Sequence, residues 1–449
     1  MTQRLKEDFN RLGPDRVARL AAWYVLLAFG IPPVVSGQVP DVTADGPALT
    51  RHVPAIERNL HENIVRFWYP RCIDRTHGGY LVAFDSAGQP RTGAARMIVT
   101  QARMLWLSAR LLREGIQPAQ MREAADHGFA FLMERMWDPA QGGFFWEVDE
   151  AGRQPTRPNK HLYGQAFALY ALSEYAGAAG RPEARRAAER LFELLDAKAH
   201  DARYGGYVEF FAPDWSPAPA LATPYLGAAE PGLKLMNTHL HLMEALTTYY
   251  RLTRSAVARD RLAELVTIQS NSVVRKTVPA GTDQHRRDWT PRLTPDAARA
   301  SYGHDLENIW LLADALEALG QSPYPLLDLF RAQFAYAVQH GYDPAHGGFF
   351  YTGPLGQPAD DRRKDWWVQA EALVSALTMH RLTGERRYAD VFEGTWRWVS
   401  ERQTDWVHGE WHQTIGPDGD AQGDKGHAWK AGYHNGRAML ECLRLLKAP

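Results

Sequence analysis

The stretch Ser301-Tyr302-Gly303-His304-Asp305-Leu306-Glu307-Asn308-Ile309-Trp310 sets His304 and Glu307 three residues apart at the head of an apolar run, so on a helix the two share one face. Three more stretches mix bulky rings with ionisable groups in the same way: Asn237-Thr238-His239-Leu240-His241, Lys364-Asp365-Trp366-Trp367-Val368-Gln369-Ala370-Glu371, and Trp429-Lys430-Ala431-Gly432-Tyr433-His434-Asn435-Gly436-Arg437. A hydrophobic core has no use for so much polar matter. Imidazole titrates near neutrality, so two histidines on opposite sides of a carbon could take a proton from one face and return one to the other. His304 and His434 fit that work, with Glu307 placed to fix the tautomer of His304. Asn237 and His241 lie four apart and share a helix face, whereas His239 points elsewhere and reads as structural. Trp367 stands one helical turn before Glu371 and Trp429 five residues before His434, so ring faces would flank the ionisable groups. The four stretches read as the walls of one cavity that binds a sugar and moves protons on it.

Composition supports this reading. The chain of 449 residues carries 51 Lys and Arg against 52 Asp and Glu, which leaves no electrostatic footprint for nucleic acid or an anionic membrane. Its 15 Trp, 18 Tyr and 17 Phe suit carbohydrate, whose C–H faces stack on rings while its hydroxyls need a few polar partners. Two cysteines, Cys72 and Cys442, cannot form a disulfide scaffold or a Cys-rich zinc site. The histidines show no metal-ligand spacing, and no P-loop or dinucleotide fingerprint is present. No cofactor and no metal are therefore expected, and the protein is expected to act as a monomer on a small carbohydrate.

The elements that must position these residues repeat. A Gly-Gly-aromatic turn recurs at Gly78-Gly79-Tyr80, Gly142-Gly143-Phe144, Gly205-Gly206-Tyr207 and Gly347-Gly348-Phe349, with a degenerate copy at Gly409-Glu410-Trp411. Successive intervals of 64, 63, 142 and 62 residues leave one gap two periods long, which predicts a diverged copy within 265–295 and six units in all. Between the turns, apolar residues recur at i, i+3, i+4 and i+7, the helical pattern. Six helix pairs can stack as an open solenoid or close into a ring. Closure is the favoured reading, since it would gather the polar-aromatic stretches round one mouth.

Residues 1–50 read as an N-terminal extension and 51–449 as the folded domain. The apolar run Leu20–Ile31 is too short to span a bilayer. It fits either the apolar segment of a signal peptide ending near residue 37, which would export the protein to the periplasm, or a helix packed on a cytoplasmic domain.

The four stretches, in this order and spacing, resemble the signature blocks of the cellobiose 2-epimerases within the N-acylglucosamine 2-epimerase superfamily. The resemblance covers about residues 54–446 and implies an all-α, (α/α)6 barrel, in agreement with six units. It implies that Asn237 and His241 contact the reacting sugar, His241 assisting ring opening, and that Tyr163 binds a hydroxyl. On pattern alone Arg103 is a surface arginine whose stem packs on apolar neighbours; the resemblance makes it the cation beside a developing oxyanion. Trp366, Trp367, Glu371 and Trp429 would bind substrate. The implied reaction inverts C2 of the reducing-end glucose of a β-1,4-linked disaccharide through ring opening and a cis-enediolate. Mannose 2-epimerisation or aldose–ketose isomerisation of free monosaccharides is the near alternative; a glycoside hydrolase, which needs two carboxylates about 5–9.5 Å apart, or a non-catalytic sugar-binding protein, is more distant. One departure stands out: Ala431-Gly432 replaces the bulkier, Pro-containing pair expected there, which bears on the outer sugar subsite.

Overall fold

A computed structural model describes residues 49–218 and 232–448. The expected N-terminal extension and its signal-like run lie outside the described residues, apart from residues 49 and 50. Among those described, no helix is long and apolar enough to cross a membrane.

Among the described residues, twelve principal helices pair as six units. The outer set is α1 (Val53–Arg58, continuing through a π-turn to Trp68), α3 (Pro118–Phe131), α5 (Pro182–Lys198), α7 (Ala256–Thr267), α9 (Leu327–Gly341) and α11 (Arg386–Trp398). The inner set, numbered in chain order with the outer, is α2 (Ile98–Arg113), α4 (Leu162–Ala179), α6 (Met236–Thr253), α8 (Tyr302–Ala318), α10 (Trp366–Thr383) and α12 (Tyr433–Lys447). Sequence separates the two sets physically. α4 is buried at every residue from Leu162 to Ala176, as a helix apolar all round must be. α5 buries only the stripe Ala184, Ala187, Ala188, Leu191, Phe192 and Leu195 and turns charged residues to water. Each inner helix packs on the next, and α12 packs on α2. Phe84 and Gly426 exchange backbone hydrogen bonds of 2.9 and 3.1 Å across the same seam, so the ring is closed and the molecule is an (α/α)6 barrel.

Six hairpins at one end share a single backbone bridge joining residues seven apart: Ile73 to Tyr80, Trp137 to Phe144, His200 to Tyr207, Val274 to Gly281, Tyr342 to Phe349 and Thr404 to Trp411. The fourth is the diverged copy. Five hairpins begin with an aspartate that pairs with a buried base; in four the base stands two residues ahead of an inner helix, Arg96–Asp74 at 2.5 Å, Lys160–Asp138 at 2.8 Å, Lys234–Asp201 at 3.1 Å and Lys364–Asp343 at 2.8 Å, and in the last it lies further upstream, Lys425–Asp405 at 2.8 Å. In the fourth, Arg275 takes the aspartate's position. The fourth residue of an inner helix then pins the hairpin. Gln101, Gln165 and Gln369 each accept one backbone N–H and donate to one carbonyl of Tyr80, Phe144 and Phe349, all at 2.8–2.9 Å. His239 and Asp305 hold the same position and accept from Tyr207 N at 2.9 Å and Gly281 N at 2.6 Å. His239 is thus structural, as its spacing predicts.

Candidate active site

The register that assigns hairpin pinning to the fourth helix position leaves the second and sixth, one turn apart, for the barrel axis. The second position holds Tyr163 in α4, Asn237 in α6, Trp367 in α10 and His434 in α12; the sixth holds Arg103, His241, Glu307 and Glu371. His304, third in α8, is the exception.

A cavity of about 260 Å³ opens where these first turns meet. His304, His434, His241 and Arg103 line it, as do Tyr163, Asn237, Trp366, Trp367 and Trp429. Trp367 lies against both histidines expected to move protons, 4.7 Å from the ring of His304 and 5.9 Å from that of His434. Arg103 is not at the surface but 3% exposed: it donates to Trp429 O at 2.9 Å and Tyr163 Oη at 3.1 Å.

Glu307 and Glu371 stand behind the cavity wall, which corrects two expectations. Glu307 does not orient His304, because Arg437 Nη2 binds it at 2.6 Å. Helical spacing puts His304 and Glu307 on one face but cannot register a competing cation 130 residues later. Glu371 is not free for substrate: it accepts from His434 Nδ1 at 2.7 Å, Arg437 Nη2 at 2.8 Å and Trp310 Nε1 at 3.0 Å. A third carboxylate, Glu244, completes the layer by accepting from His241 Nδ1 at 3.0 Å, Tyr433 Oη and Arg437. Glu244 follows His241 by three residues, the spacing that singled out His304 and Glu307, so the signal was present and unread.

Among the described residues, Glu307, Glu371 and His434 form the one group whose three potential ligand atoms lie within 4.8 Å of one another. The guanidinium of Arg437 bonds both carboxylates there and supplies the positive charge a bound cation would bring.

Burial sets the protonation states. It lowers His304 to about 3 with help from His241, depresses His241, and holds His434 well below its ordinary value, with Arg103 and Arg437 adding to the effect. All three imidazoles are therefore neutral at pH 7. Burial raises Glu371 against the pull of Arg437, whose Nη2 donates at 2.8 Å to the same Oε1 that faces His434. With that oxygen and the Glu244 carboxylate accepting, Glu371 and Glu244 fix the proton of His434 and His241 on Nδ1 and leave each Nε2 lone pair free. Burial and the neighbouring Glu371 push Glu307 well above the carboxylate range. Glu244 is also buried, yet Arg437 and the His241 bond outweigh that and hold it at about 2.

Four cavity residues present a buried polar atom with no hydrogen-bond partner among the described residues: Arg103 Nε, Asn237 Oδ1, Trp366 Nε1 and His427 Nε2. Such atoms are costly unless something fills them. His427, Gln413, Tyr351 and Asp365 also line the cavity and were not singled out in the sequence. They sit on short strands and turns after the hairpins, where neither helical spacing nor a repeated motif marks them.

The Ala431-Gly432 departure has a steric cause. A Cβ on Gly432 would lie 2.7 Å from the indole of Trp68, which is fully buried and donates to Glu410 at 2.7 Å. Neither residue lines the cavity, so the departure reshapes packing behind it and not the subsite.

Residues 79–438 match the N-acylglucosamine 2-epimerase family. A cellobiose 2-epimerase of Bacteroides fragilis is 29% identical over 391 residues, covering 86% of this chain and 97% of that one. The structure of cellobiose 2-epimerase from Spirochaeta thermophila superposes with a TM-score of 0.80 at 32% identity, covering 90% of this chain and 98% of its own. A D-mannose isomerase of Marinomonas mediterranea is 26% identical over 86% of this chain and 95% of its own.

Proposed function

The chain belongs to the N-acylglucosamine 2-epimerase family and is a carbohydrate epimerase of the cellobiose 2-epimerase type, and from that premise we propose that it inverts C2 of the reducing-end glucose of a β-1,4-linked disaccharide. The observation that carries the reading is a pair of neutral imidazoles, His304 and His434, that line one cavity and both lie against Trp367.

The sugar first opens to its aldehyde: His241 Nε2 takes the proton of the anomeric hydroxyl as the C1–O5 bond breaks, and hands it to O5. One of His304 and His434 then removes the C2 proton. The electron pair left behind delocalises onto O1 and gives a cis-enediolate, whose charge meets the fixed guanidinium of Arg103 and the hydroxyl of Tyr163. The other histidine, once it has taken up a solvent proton at Nε2, gives that proton to C2 from the opposite face and inverts the centre, while the first releases the proton it gained to solvent. Glu371 stabilises His434 as it becomes imidazolium, and Arg437 keeps Glu371 in place. Asn237 Oδ1 and Trp366 Nε1 take substrate hydroxyls, and Trp429 covers a ring.

A glycoside hydrolase would need two carboxylates facing the bond. Here Glu244, Glu307 and Glu371 are tied to Arg437 behind the wall, and imidazoles face the cavity.

The test is proton NMR of purified protein with cellobiose, lactose, mannose and glucose in D2O. The expected product is the 2-epimeric disaccharide with deuterium at C2. A ketose product would move the protein to the aldose–ketose isomerases, and release of free glucose to the hydrolases.

A further inference from the structure

Among the imidazoles that line the catalytic cavity, His427 carries its proton on the opposite nitrogen from His241 and His434. Trp429 N donates to His427 Nδ1 at 3.1 Å, and a backbone amide can only donate, so Nδ1 is unprotonated. Burial, with the Lys430 cation nearby, holds the ring at about 4, so it is neutral at pH 7 and its one proton sits on Nε2. His241 and His434 are the reverse: each donates through Nδ1 to a carboxylate and keeps a lone pair on Nε2. Towards the cavity those two present bases, whereas His427 presents a donor.

The segment that carries this donor is held from several sides. His427 N donates to Lys430 O at 3.0 Å and Lys430 N to His427 O at 3.2 Å. Lys430 is fully buried, and its Nζ donates to Glu410 Oε1 and Lys425 O, both at 2.8 Å. Trp429 is gripped at both ends of its backbone, its N by His427 Nδ1 and its O by Arg103 Nη1 at 2.9 Å. His427 Nε2 is thereby fixed in the cavity wall, buried and without a partner among the described residues. A donor so placed lacks the acceptor that a ligand would bring.

Depth along the barrel axis decides which part of a ligand that is. The carboxylates behind the wall stand at the sixth helix position and the proton-moving histidines at the second and third. Trp366 opens α10, five residues or about 7 Å of helix nearer the mouth than Glu371. His427 lies edge-on to Trp366 at 6.4 Å and precedes α12 by six residues. We propose that His427 is a specificity-determining residue whose Nε2–H donates to an oxygen of the second ring of a disaccharide, the ring linked through O4 of the reacting glucose. The proposal rests on the epimerase reading of the cavity. A monosaccharide would leave the N–H buried and unpaired, and a site built to hydrogen-bond a group disfavours the analogue that lacks it.

Cellobiitol, whose reduced end mimics the opened sugar and cannot epimerise, is the probe, with glucitol as its one-ring counterpart. Calorimetric titration of the parent protein should give the lower Kd for cellobiitol. His427→Asn keeps an oxygen that accepts from Trp429 N but withdraws the N–H from the cavity. It should lower the ratio of the two Kd values about fivefold or more, within what one hydrogen bond contributes. His427→Gln does the reverse, since its amide reaches the Nε2 position and gives up the acceptor at Nδ1, so its ratio should stay above that of His427→Asn. A residue that only braced the turn would show the opposite order. Should His427→Asn not fold, His427→Phe, which keeps a ring and has neither nitrogen, takes its place in the comparison with His427→Gln. A ratio in His427→Asn equal to or above that in His427→Gln overturns the proposal, as does a parent protein that binds both alditols alike. The expected order of ratios with no epimerisation of cellobiose would uphold this contact and overturn the assigned reaction.

Discussion

His434 Nδ1 donates to Glu371 Oε1 at 2.7 Å, joining the second residue of α12 to the sixth of α10. The bond aims Nε2 at the cavity and places a negative charge where the imidazolium will form. Glu371→Gln keeps an oxygen that can accept the bond but removes that charge. Steady-state kinetics on cellobiose should show kcat lowered roughly 10²-fold, inside the range that acid–base groups contribute, with KM changed much less. A larger change in KM than in kcat would make Glu371 a binding group.

His304→Asn and His434→Asn should each lower epimerisation by roughly 10²–10⁴-fold. Their effects on exchange should differ. With one base left, that variant should still wash the C2 proton of one epimer into D2O while the other epimer stays protonated. Equal exchange of both epimers in either variant would end the two-base scheme.

Arg437 stands alone against Glu244, Glu307 and Glu371. Arg437→Met leaves that acidic layer buried without its cation, and breaking a buried pair from one side costs about 3–5 kcal/mol. Urea unfolding at pH 7 should report a loss of that size, smaller at pH 5, where protonation relieves the carboxylates. A loss below about 1 kcal/mol would mean that water already screens the layer.

His239 pins its hairpin from the position where Gln101, Gln165 and Gln369 pin theirs. Burial holds its pKa at about 3, so it is neutral when folded but takes up a proton when unfolded below about 6.5. The unfolded state then binds more protons, and stability present above pH 6.5 is lost as pH falls towards 3. His239→Gln removes this term and keeps both hydrogen-bonding roles. The variant should lose less stability than the parent between pH 7 and pH 5, by up to about 2 kcal/mol. Parallel losses would remove His239 from the acid response.

The barrel was legible because the hairpins repeat both glycines and spacing. Even the fourth, which lost Gly-Gly and its aspartate to Arg275, is located by the interval it leaves. The cavity wall was legible where helix spacing sufficed, as for Asn237 with His241. Spacing failed for partners chosen across the barrel. Arg437 takes Glu307 from His304, and Trp68 dictates Gly432. Asp365, Gln413 and His427 carry no periodic signal, because short strands and turns bring them to the mouth.

Substrate size is the remaining term. Trp429, half-buried at the mouth, stands 6.1 Å from the ring of Tyr163, and its carbonyl holds Arg103 at 2.9 Å. Trp366 lies edge-on to His427 at 6.4 Å and to His434 at 6.3 Å. A reacting glucose between the histidines leaves one indole to meet a second ring, and such contacts add on the order of 1 kcal/mol beyond burial. Binding remote from the reacting carbon can also position it, which raises kcat as well as affinity. kcat/KM for cellobiose should therefore exceed that for glucose or mannose about tenfold or more, a difference of about 1.4 kcal/mol. Trp429→Ala keeps the backbone carbonyl that binds Arg103, so it should narrow the gap between disaccharide and monosaccharide without slowing C2 exchange on mannose. Equal activity of the parent protein on free mannose would replace the disaccharide assignment with a monosaccharide one.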